Sequence, residues 1–426
     1  MAQSSNSMAL DTLSSAGSHL DQGSGRVLGS VVAVAGSPRV IFLVALVVRV
    51  IVAIQLIPGQ AEQRFYGPNE PARIAWNLVS GRGYSSPWPH TIGATAQQPP
   101  LYPLLLAAVF LVGGPYTSLS LYIAVFLNAV FSAITAVLIL RFGERAFGRG
   151  VGIVAALIWS CWIYEVVVSL RLWESGLSAM LLVLTLWWLQ ELREETKAAR
   201  WVWFGVLAGI AALSNVTLLA VFAVLGIANW FGTEDRSKRG HVLASALAFV
   251  LVLLPWTIRN YVTLGRVIPL RDNFGLELWV GNHRGVTHLS DFHGSFPLSN
   301  PSDYNQMGEI AFMERQRSIA LEFIRGNPGE FLRLCGQRVV DFWASPNPGV
   351  WLTITALASF GLGLAWWRQN VVALPFSIVL CVFPLVYYIT HTWSTYRHPI
   401  EPEVLLLAVY GVAQVSREAL KRVSLW

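Results

Sequence analysis

Two glutamates of this chain stand outside its apolar runs, where a carboxylate could take a proton. Glu70 lies in Gly67-Pro68-Asn69-Glu70-Pro71-Ala72-Arg73. On a short helix the Arg73 guanidinium, three residues on, would sit beside the Glu70 carboxylate, with Asn69 just before it. Glu174, in Arg171-Leu172-Trp173-Glu174-Ser175-Gly176, interrupts the sequence between two apolar runs. Glu165 lies deeper in the preceding run, where a charge is costly, and reads as functional or as half of an ion pair with Arg171. Each acid alone has an ordinary reading as well: a solvated loop charge for Glu70, and for Glu174 a charge that ends a helix and suits its dipole.

The complementary chemistry is anion binding. Tyr396-Arg397-His398-Pro399-Ile400-Glu401-Pro402 opens the last apolar run. A guanidinium is bidentate toward phosphate and a helix N-terminus adds to it, although anchoring of basic residues at a membrane interface explains the segment equally well. Arg259-Asn260-Tyr261, just past Pro255-Trp256, has the same two readings. Arg49, midway along the first apolar run, would cost at least ~2.5 kcal/mol unpaired in a membrane, so it must face the interior, with structural pairing ahead of substrate contact. His283, His288 and His293 recur every five residues, which is neither helical nor strand spacing, and no metal site is predicted there. No Walker loop, Rossmann fingerprint, Gly-x-Ser-x-Gly or His-Glu-x-x-His occurs, so nothing supports ATP, NAD or zinc-hydrolase chemistry. The residues dictate no cofactor; a divalent cation, Mg or Mn, stays open.

What must position these groups is a membrane bundle. With 54% hydrophobic and 13% charged residues and a mean hydropathy of +0.52, the chain has too little polar surface for a soluble fold of its length. Eighteen Trp and twelve Tyr fit the same reading, since amphipathic rings gather where spans meet water. The net charge of +6 is carried between apolar runs, which is membrane topology and not a nucleic-acid footprint. Cys161, Cys335 and Cys381 have no pairing or metal spacing and are expected to be small buried residues.

Runs long enough to span, some with borrowed flanks, are residues 40–57, 119–140, 151–169, 175–192, 201–216, 217–232, 242–259, 350–366, 371–390 and 402–415. The boundary between the fifth and sixth has only Asn215 and Thr217 as polar cues. Residues 101–112, opened by Pro100 and stopped by Gly113-Gly114-Pro115, have the length of an interfacial helix. Laid on the outer surface, they leave five basic segments inside: Arg141, Arg145 and Arg149; Arg193, Lys197 and Arg200; Arg236, Lys238 and Arg239; Arg368; and Arg417, Lys421 and Arg422. The expected fold is therefore an all-α polytopic bundle of about 10 transmembrane helices (10–13), with interfacial helices in the first outer loop. Residues 1–38 are expected to be a disordered cytoplasmic N-terminus without signal-peptide features. The bundle occupies 39–259, including the first outer loop 58–118. A periplasmic segment follows at 260–348, with helices expected over 304–325 and from Asn327-Pro328-Gly329-Glu330. C-terminal spans cover 349–416, and 417–426 form a cytoplasmic tail.

Taken in order, Asn69-Glu70 with Arg73-Ile74-Ala75-Trp76-Asn77-Leu78, Pro99-Pro100-Leu101-Tyr102-Pro103, Trp173-Glu174, Pro255-Trp256-Thr257-Ile258-Arg259-Asn260-Tyr261 and Tyr396-Arg397-His398-Pro399 resemble the C-type (GT-C) membrane glycosyltransferases. The similarity is greatest to the bacterial branch of protein O-mannosyltransferases and the lipid A aminoarabinose transferase. The resemblance implies transfer of a sugar from a polyprenyl-phosphate carrier to an acceptor hydroxyl on a lipid, glycan or protein, with inversion, at the outer face of a bacterial inner membrane. It makes Glu70 the base, because Asn69 stands where relatives commonly carry Asp, and Glu174 the second acid. Arg397, His398, Arg259 and Arg171 become the donor-phosphate ligands, supported by Asn69, Arg73 and Glu165. The alternatives are a transporter or flippase for a lipid-linked or anionic solute, and an inactive scaffold.

Overall fold

The computed structural model describes residues 34, 36–56, 69–192, 197–233, 235–286 and 301–423. The expected N-terminal disorder, residues 58–68, Arg193, His288, His293 and the last three residues lie outside them. Among the described residues the fold is all helical, with one isolated bridge between Ser85 and Ala94.

The bundle begins with α1 (Pro38–Leu56), followed in the stretch expected as the first outer loop by α2 (Glu70–Val79) and α3 (Leu101–Gly113). Next come α4 (Ser118–Phe147), α5 (Arg149–Cys161), α6 (Ile163–Ser169), α7 (Ser175–Glu191), α8 (Ala198–Ala212), α9 (Val216–Phe231) and α10 (Arg236–Leu264). After α10 stand α11 (Phe274–Gly281), α12 (Pro301–Met307), α13 (Glu309–Gly326) and α14 (Pro328–Ala344). The chain returns to the bundle through α15 (Pro348–Trp367), α16 (Ala373–Val382), α17 (Leu385–Ile389) and α18 (Glu401–Val423). Each of the ten apolar runs falls on a helix or a broken helix. Four helices are long and apolar enough to cross a membrane alone, five if the α5–α6 pair counts as one span.

That pair bends by 66°, and the bend explains Arg49. Breaking the helix at Trp162 leaves carbonyls of the last α5 turn without helical partners. Arg49, fully buried on α1, donates to Trp159 O at 3.1 Å, Ser160 O at 3.3 Å and Ser169 Oγ at 3.2 Å. The charge is thus spent on backbone that would otherwise be unsatisfied in an apolar interior. Elsewhere the helices approach through small residues, as membrane packing favours. A Cβ on Gly205 would meet Ser245 O at 2.0 Å, and one on Gly361 would meet Leu407 O at 2.0 Å. Asn215 separates α8 from α9 by capping the latter, its Oδ1 accepting from Thr217 N at 3.0 Å.

Asn128, ten residues into α4, bonds the Tyr102 hydroxyl of α3 and donates to Arg171 O in the α6–α7 turn. The first ten residues of α4, ~15 Å of helix, therefore rise past that turn, and α3 packs along this protruding end. At the opposite end Arg145 pairs with Glu191 at 3.2 Å, Asn370 donates to Ala146 O at 2.8 Å and Arg368 to Gln414 at 2.6 Å.

The segment after α10 is a helical cap with a small core of its own. Trp88 from the first outer loop, Leu276 and Val280 of α11, Tyr304 of α12 and Phe312 and Met313 of α13 are buried together. The single helix expected over 304–325 is split at Gly308, whose φ of +76° turns the chain. On α14, Leu334, Arg338 and Phe342 are buried, as their helical spacing implies. Asn327 makes no side-chain cap; its amide donates back to Phe323 O at 3.0 Å. The cysteines depart from expectation: Cys161 and Cys381 are exposed on bundle helices and Cys335 is half-buried, with no disulfide. In an apolar bundle an exposed thiol on an outward face costs no more than any other small side chain. Helix α18 also continues through residues 417–423 without a break.

Candidate functional site

Glu70 opens α2 under the control of Asn69. The Asn69 Oδ1 accepts from Ala72 N at 3.0 Å, the usual N-cap bond. Its Nδ2 donates to Leu172 O at 3.2 Å, tying the helix start to the turn that carries Glu174. An Asp here could make the first bond but not the second. The Glu70 carboxylate is held by two neutral donors, Trp88 Nε1 at 2.8 Å on Oε1 and Gln98 Nε2 in close contact with Oε2. Burial raises its pKa; Arg271 and the two donors oppose that rise and Glu277 adds to it.

Glu174 faces a cavity of about 160 Å³ at this end of the bundle. Pro99 and the 173–175 turn form one side, the 215–217 turn another, residues 271–277 a third, and residues 386–399 close it. Four segments far apart in sequence thus converge on Glu174. Burial pushes its carboxyl up to about 7, with Arg271 opposing and Glu70 reinforcing the rise. A carboxyl so poised can exchange protons near neutrality.

The cation of the cavity is Arg271, which sequence reasoning missed. The chain leaves α10 at Gly265, whose φ of +70° allows the reversal. It is then folded back by Asn260 Nδ2 to Ile268 O at 2.9 Å and Trp256 Nε1 to Leu270 O at 2.7 Å. Asp272 N donates to Ala96 O at 3.0 Å, pinning Arg271 against the first outer loop. The Arg271 Nε donates to Gln97 O at 2.5 Å and Nη2 to Glu277 Oε1 at 3.1 Å. Nη1 takes no hydrogen-bond partner among the described residues. Burial works against the charge, but Glu277, Glu70 and Glu174 outweigh it and hold the guanidinium pKa above its ordinary value. Glu277 in turn contacts His391 Nδ1 at 3.2 Å, and His391 Nε2 lies 3.0 Å from the Tyr396 hydroxyl. Burial lowers the His391 pKa, with Glu277 opposing.

The expected phosphate ligands lie elsewhere. Arg397 is 2% exposed; its Nε donates to Glu401 at 2.8 Å and its Nη1 to Trp343 O and Thr355 Oγ1, each at 3.0 Å. Its guanidinium is packed between the Trp343 and Trp351 rings, at 5.1 and 4.6 Å. His398 is buried against Glu165 through a close Nδ1 contact, so Glu165 pairs with His398 and not with Arg171. Arg259 donates to Thr95 O and Tyr84 O, each at 2.6 Å, and braces the first outer loop. Arg171 is exposed and does not line the cavity. Arg73 turns from Glu70 to the Trp76 ring, 5.8 Å away, which Arg82 also covers at 3.9 Å. Of the named residues, the structure brings Glu174 into the cavity and Glu70 within electrostatic reach of its charges. The buried basic groups near α18 are used in packing. Among the described residues no group of three His, Cys, Asp or Glu side chains is arranged to hold a metal ion.

The family model described as dolichyl-phosphate-mannose-protein mannosyltransferase matches residues 97–258. No curated protein matches the chain. Among solved structures, the apo oligosaccharyltransferase of Archaeoglobus fulgidus is 13% identical at TM-score 0.54, covering 91% of this chain and 51% of that one. The oligosaccharyltransferase AglB from the same archaeon, in complex with an inhibitory peptide and a dolichol-phosphate, is 11% identical at TM-score 0.50, again over 91% and 51%. ArnT from Cupriavidus metallidurans bound to undecaprenyl phosphate is 13% identical over 92% of this chain and 78% of that one, at TM-score 0.39. The chain thus spans about half the length of the oligosaccharyltransferase. Its fold is similar to that of the part of that enzyme's structure it covers.

Proposed function

We propose that the chain is an integral-membrane glycosyltransferase that moves a sugar from a polyprenyl-phosphate carrier to an acceptor hydroxyl at the cavity. The observation that carries this reading is the meeting of Glu174 and Arg271 in one cavity, with Glu70 electrostatically coupled to both. The match of residues 97–258 to a mannosyltransferase family model supports it. A dolichol-phosphate in one structure of similar fold agrees with the class of donor.

A sugar phosphodiester already carries a good leaving group, so the site has three tasks. Glu70, its orientation fixed by Trp88 and Gln98, takes the proton of the acceptor hydroxyl as that oxygen attacks the anomeric carbon. Glu174 orients the acceptor inside the cavity. The bond between the anomeric carbon and the phosphate oxygen breaks, and the lipid phosphate leaves with a second negative charge beside Arg271. One displacement inverts the anomeric centre. The basic end of the bundle supports a site on the outer side of the cell membrane with both termini in the cytoplasm.

The position of Glu174 on the cavity wall favours a second assignment, with Glu174 as base and Glu70 as its neighbour. Membranes containing the protein, given polyprenyl-phosphate sugars with a radiolabelled sugar, should pass label to lipid, glycan or protein. Glu70→Gln should lower that transfer ~10²–10⁴-fold without lowering the amount of protein. Full activity of that variant, with loss in Glu174→Gln, assigns the base to Glu174; label that stays on the donor in the wild type rejects transfer altogether.

A further inference from the structure

The residues that orient Glu70 are themselves held from the helical cap. Both donors to Glu70 sit on the stretch 84–98 of the first outer loop, which has no regular secondary structure to fix it. Glu309, at the first position of α13 and 4% exposed, reaches across to this stretch. One carboxylate oxygen accepts from Ala96 N at 2.6 Å, and the other makes a close contact with Thr95 Oγ1 and accepts from Tyr304 Oη at 2.8 Å. Thr95 and Ala96 lead directly into Gln97, whose carbonyl holds Arg271, and Gln98, whose amide holds Glu70. Tyr304 also packs edge-on against Trp88, ring centroids 5.5 Å apart, and Trp88 is the second donor to Glu70. The Glu309–Tyr304 pair, more than two hundred residues further along the chain, thus holds both the residues that lead into Gln98 and the ring of Trp88, sharing the stretch with Arg259 on Thr95 O and Tyr84 O and with the Tyr84 hydroxyl on Gln98 O.

We infer that Glu309, with Tyr304, is a positioning residue for the transfer reaction: docking of the α12–α13 cap through this carboxylate sets the orientation of Glu70 and Arg271. The inference rests on the proposed transferase reading, yet the mechanical half of it stands without activity. Glu309 is far from a loose surface acid, since both its oxygens are occupied and three segments meet on it. Its charged neighbours are Arg259 and Asp272, whereas those of Glu70 are Arg271, Glu277 and Glu174. The two carboxylates communicate through the loop stretch and not through a shared ion pair.

The test is Glu309→Gln in the full-length protein in lipid nanodiscs, read in two ways. Amide hydrogen exchange should speed up across residues 84–98 and stay unchanged in α4. Transfer should fall on the order of 10²-fold in kcat, the scale of a small misplacement of a reacting group, with the donor KM changed far less. Its acid limb should move to higher pH, because loss of the Trp88 and Gln98 bonds removes two influences that favour the Glu70 carboxylate. Tyr304→Phe, which keeps the ring against Trp88, should show the same changes in smaller degree. Unchanged exchange over 84–98 in both variants overturns the inference whether or not sugar is transferred. Faster exchange with kcat and acid limb unmoved overturns it too, since the contact would then hold the loop without serving Glu70. A wild type without transfer rejects the functional reading alone, and the exchange result still decides the latch.

Discussion

Replacing Glu174 by Gln should make the folded protein more resistant to unfolding at alkaline pH and leave it unchanged in acid. Burial raises the Glu174 carboxyl from an ordinary 4.5 to about 7, so the folded state binds this proton more tightly than the unfolded chain does. Linkage then fixes the sign. Below the unfolded value both states are protonated and the charge costs nothing. Between the two values the unfolded chain ionises first, and stability declines as pH rises. Above about 7 the whole penalty is present; at ~1.4 kcal/mol per tenfold, it is about 3 kcal/mol. Gln keeps the shape and removes the ionisation, so Glu174→Gln should regain up to that amount at pH 8 and almost nothing at pH 5. The value of about 7 already contains the opposing attraction of Arg271, so this ceiling is the net penalty. Thermal unfolding in detergent at both pH values, scanned at one rate, gives the comparison. An equal shift at pH 5 and pH 8 would show that the gain comes from packing and would refute the buried ionisation. A destabilised variant at pH 8 would show that the Arg271 attraction outweighs the burial. The same variant should transfer sugar poorly at pH 8, trading function for stability as strained sites do.

Three further substitutions separate ligand from scaffold. Arg271→Ala should weaken apparent donor affinity about 10- to 10²-fold, the worth of a charge-assisted hydrogen bond; Lys should restore it only in part because it lacks the planar fork, and an unchanged donor KM would remove Arg271 from the clamp. Arg397→Ala should instead lower thermal stability by ~3–5 kcal/mol, because it leaves Glu401 buried and unpaired; a stable variant with a raised donor KM would return Arg397 to the phosphate. Asn69→Asp should not raise transfer: the new carboxylate keeps the Ala72 cap but faces Leu172 O without a proton to donate, at a cost of ~1–3 kcal/mol. A more active Asp variant would contradict this.

The fold was legible because membrane helices leave long apolar runs that no other structure explains. Even the weak boundary at Asn215 was readable, since an Asn two residues before a Thr is helix-start chemistry whatever surrounds it. The break at Trp162 was not readable, since no Pro or Gly marks it. Its trace is on another helix, in an arginine that makes sense only as the partner of carbonyls released by the bend. The helix split at Gly308 was missed for a simpler reason: a Gly within a polar amphipathic run interrupts no hydrophobic period.

The site divides along the same physical line. Glu70 and Glu174 could be singled out because an acid between apolar runs is conspicuous by itself. Arg271 could not, because it stands among Arg266, Asp272, Asn273 and Glu277 in a polar stretch where any cation looks solvated. Its role arises from contacts that tie it to Gln97, 174 residues earlier, and draw it beside Glu174. Arg397 misled for the converse reason. Arg and His before a helix are an anion site when open to solvent, but Glu401, one turn on, lies on the same helical face, and its pairing with Arg397 at 2.8 Å consumes the charge internally. A carboxylate at that spacing is the residue to weigh before assigning a helix-start arginine to phosphate. By that criterion Arg271 faces the same objection through Glu277, six residues on. What distinguishes it is place: each guanidinium keeps one nitrogen without a hydrogen-bond partner among the described residues, but Arg271 lines the cavity, whereas Arg397 Nη2 is buried on a guanidinium enclosed by two indole rings.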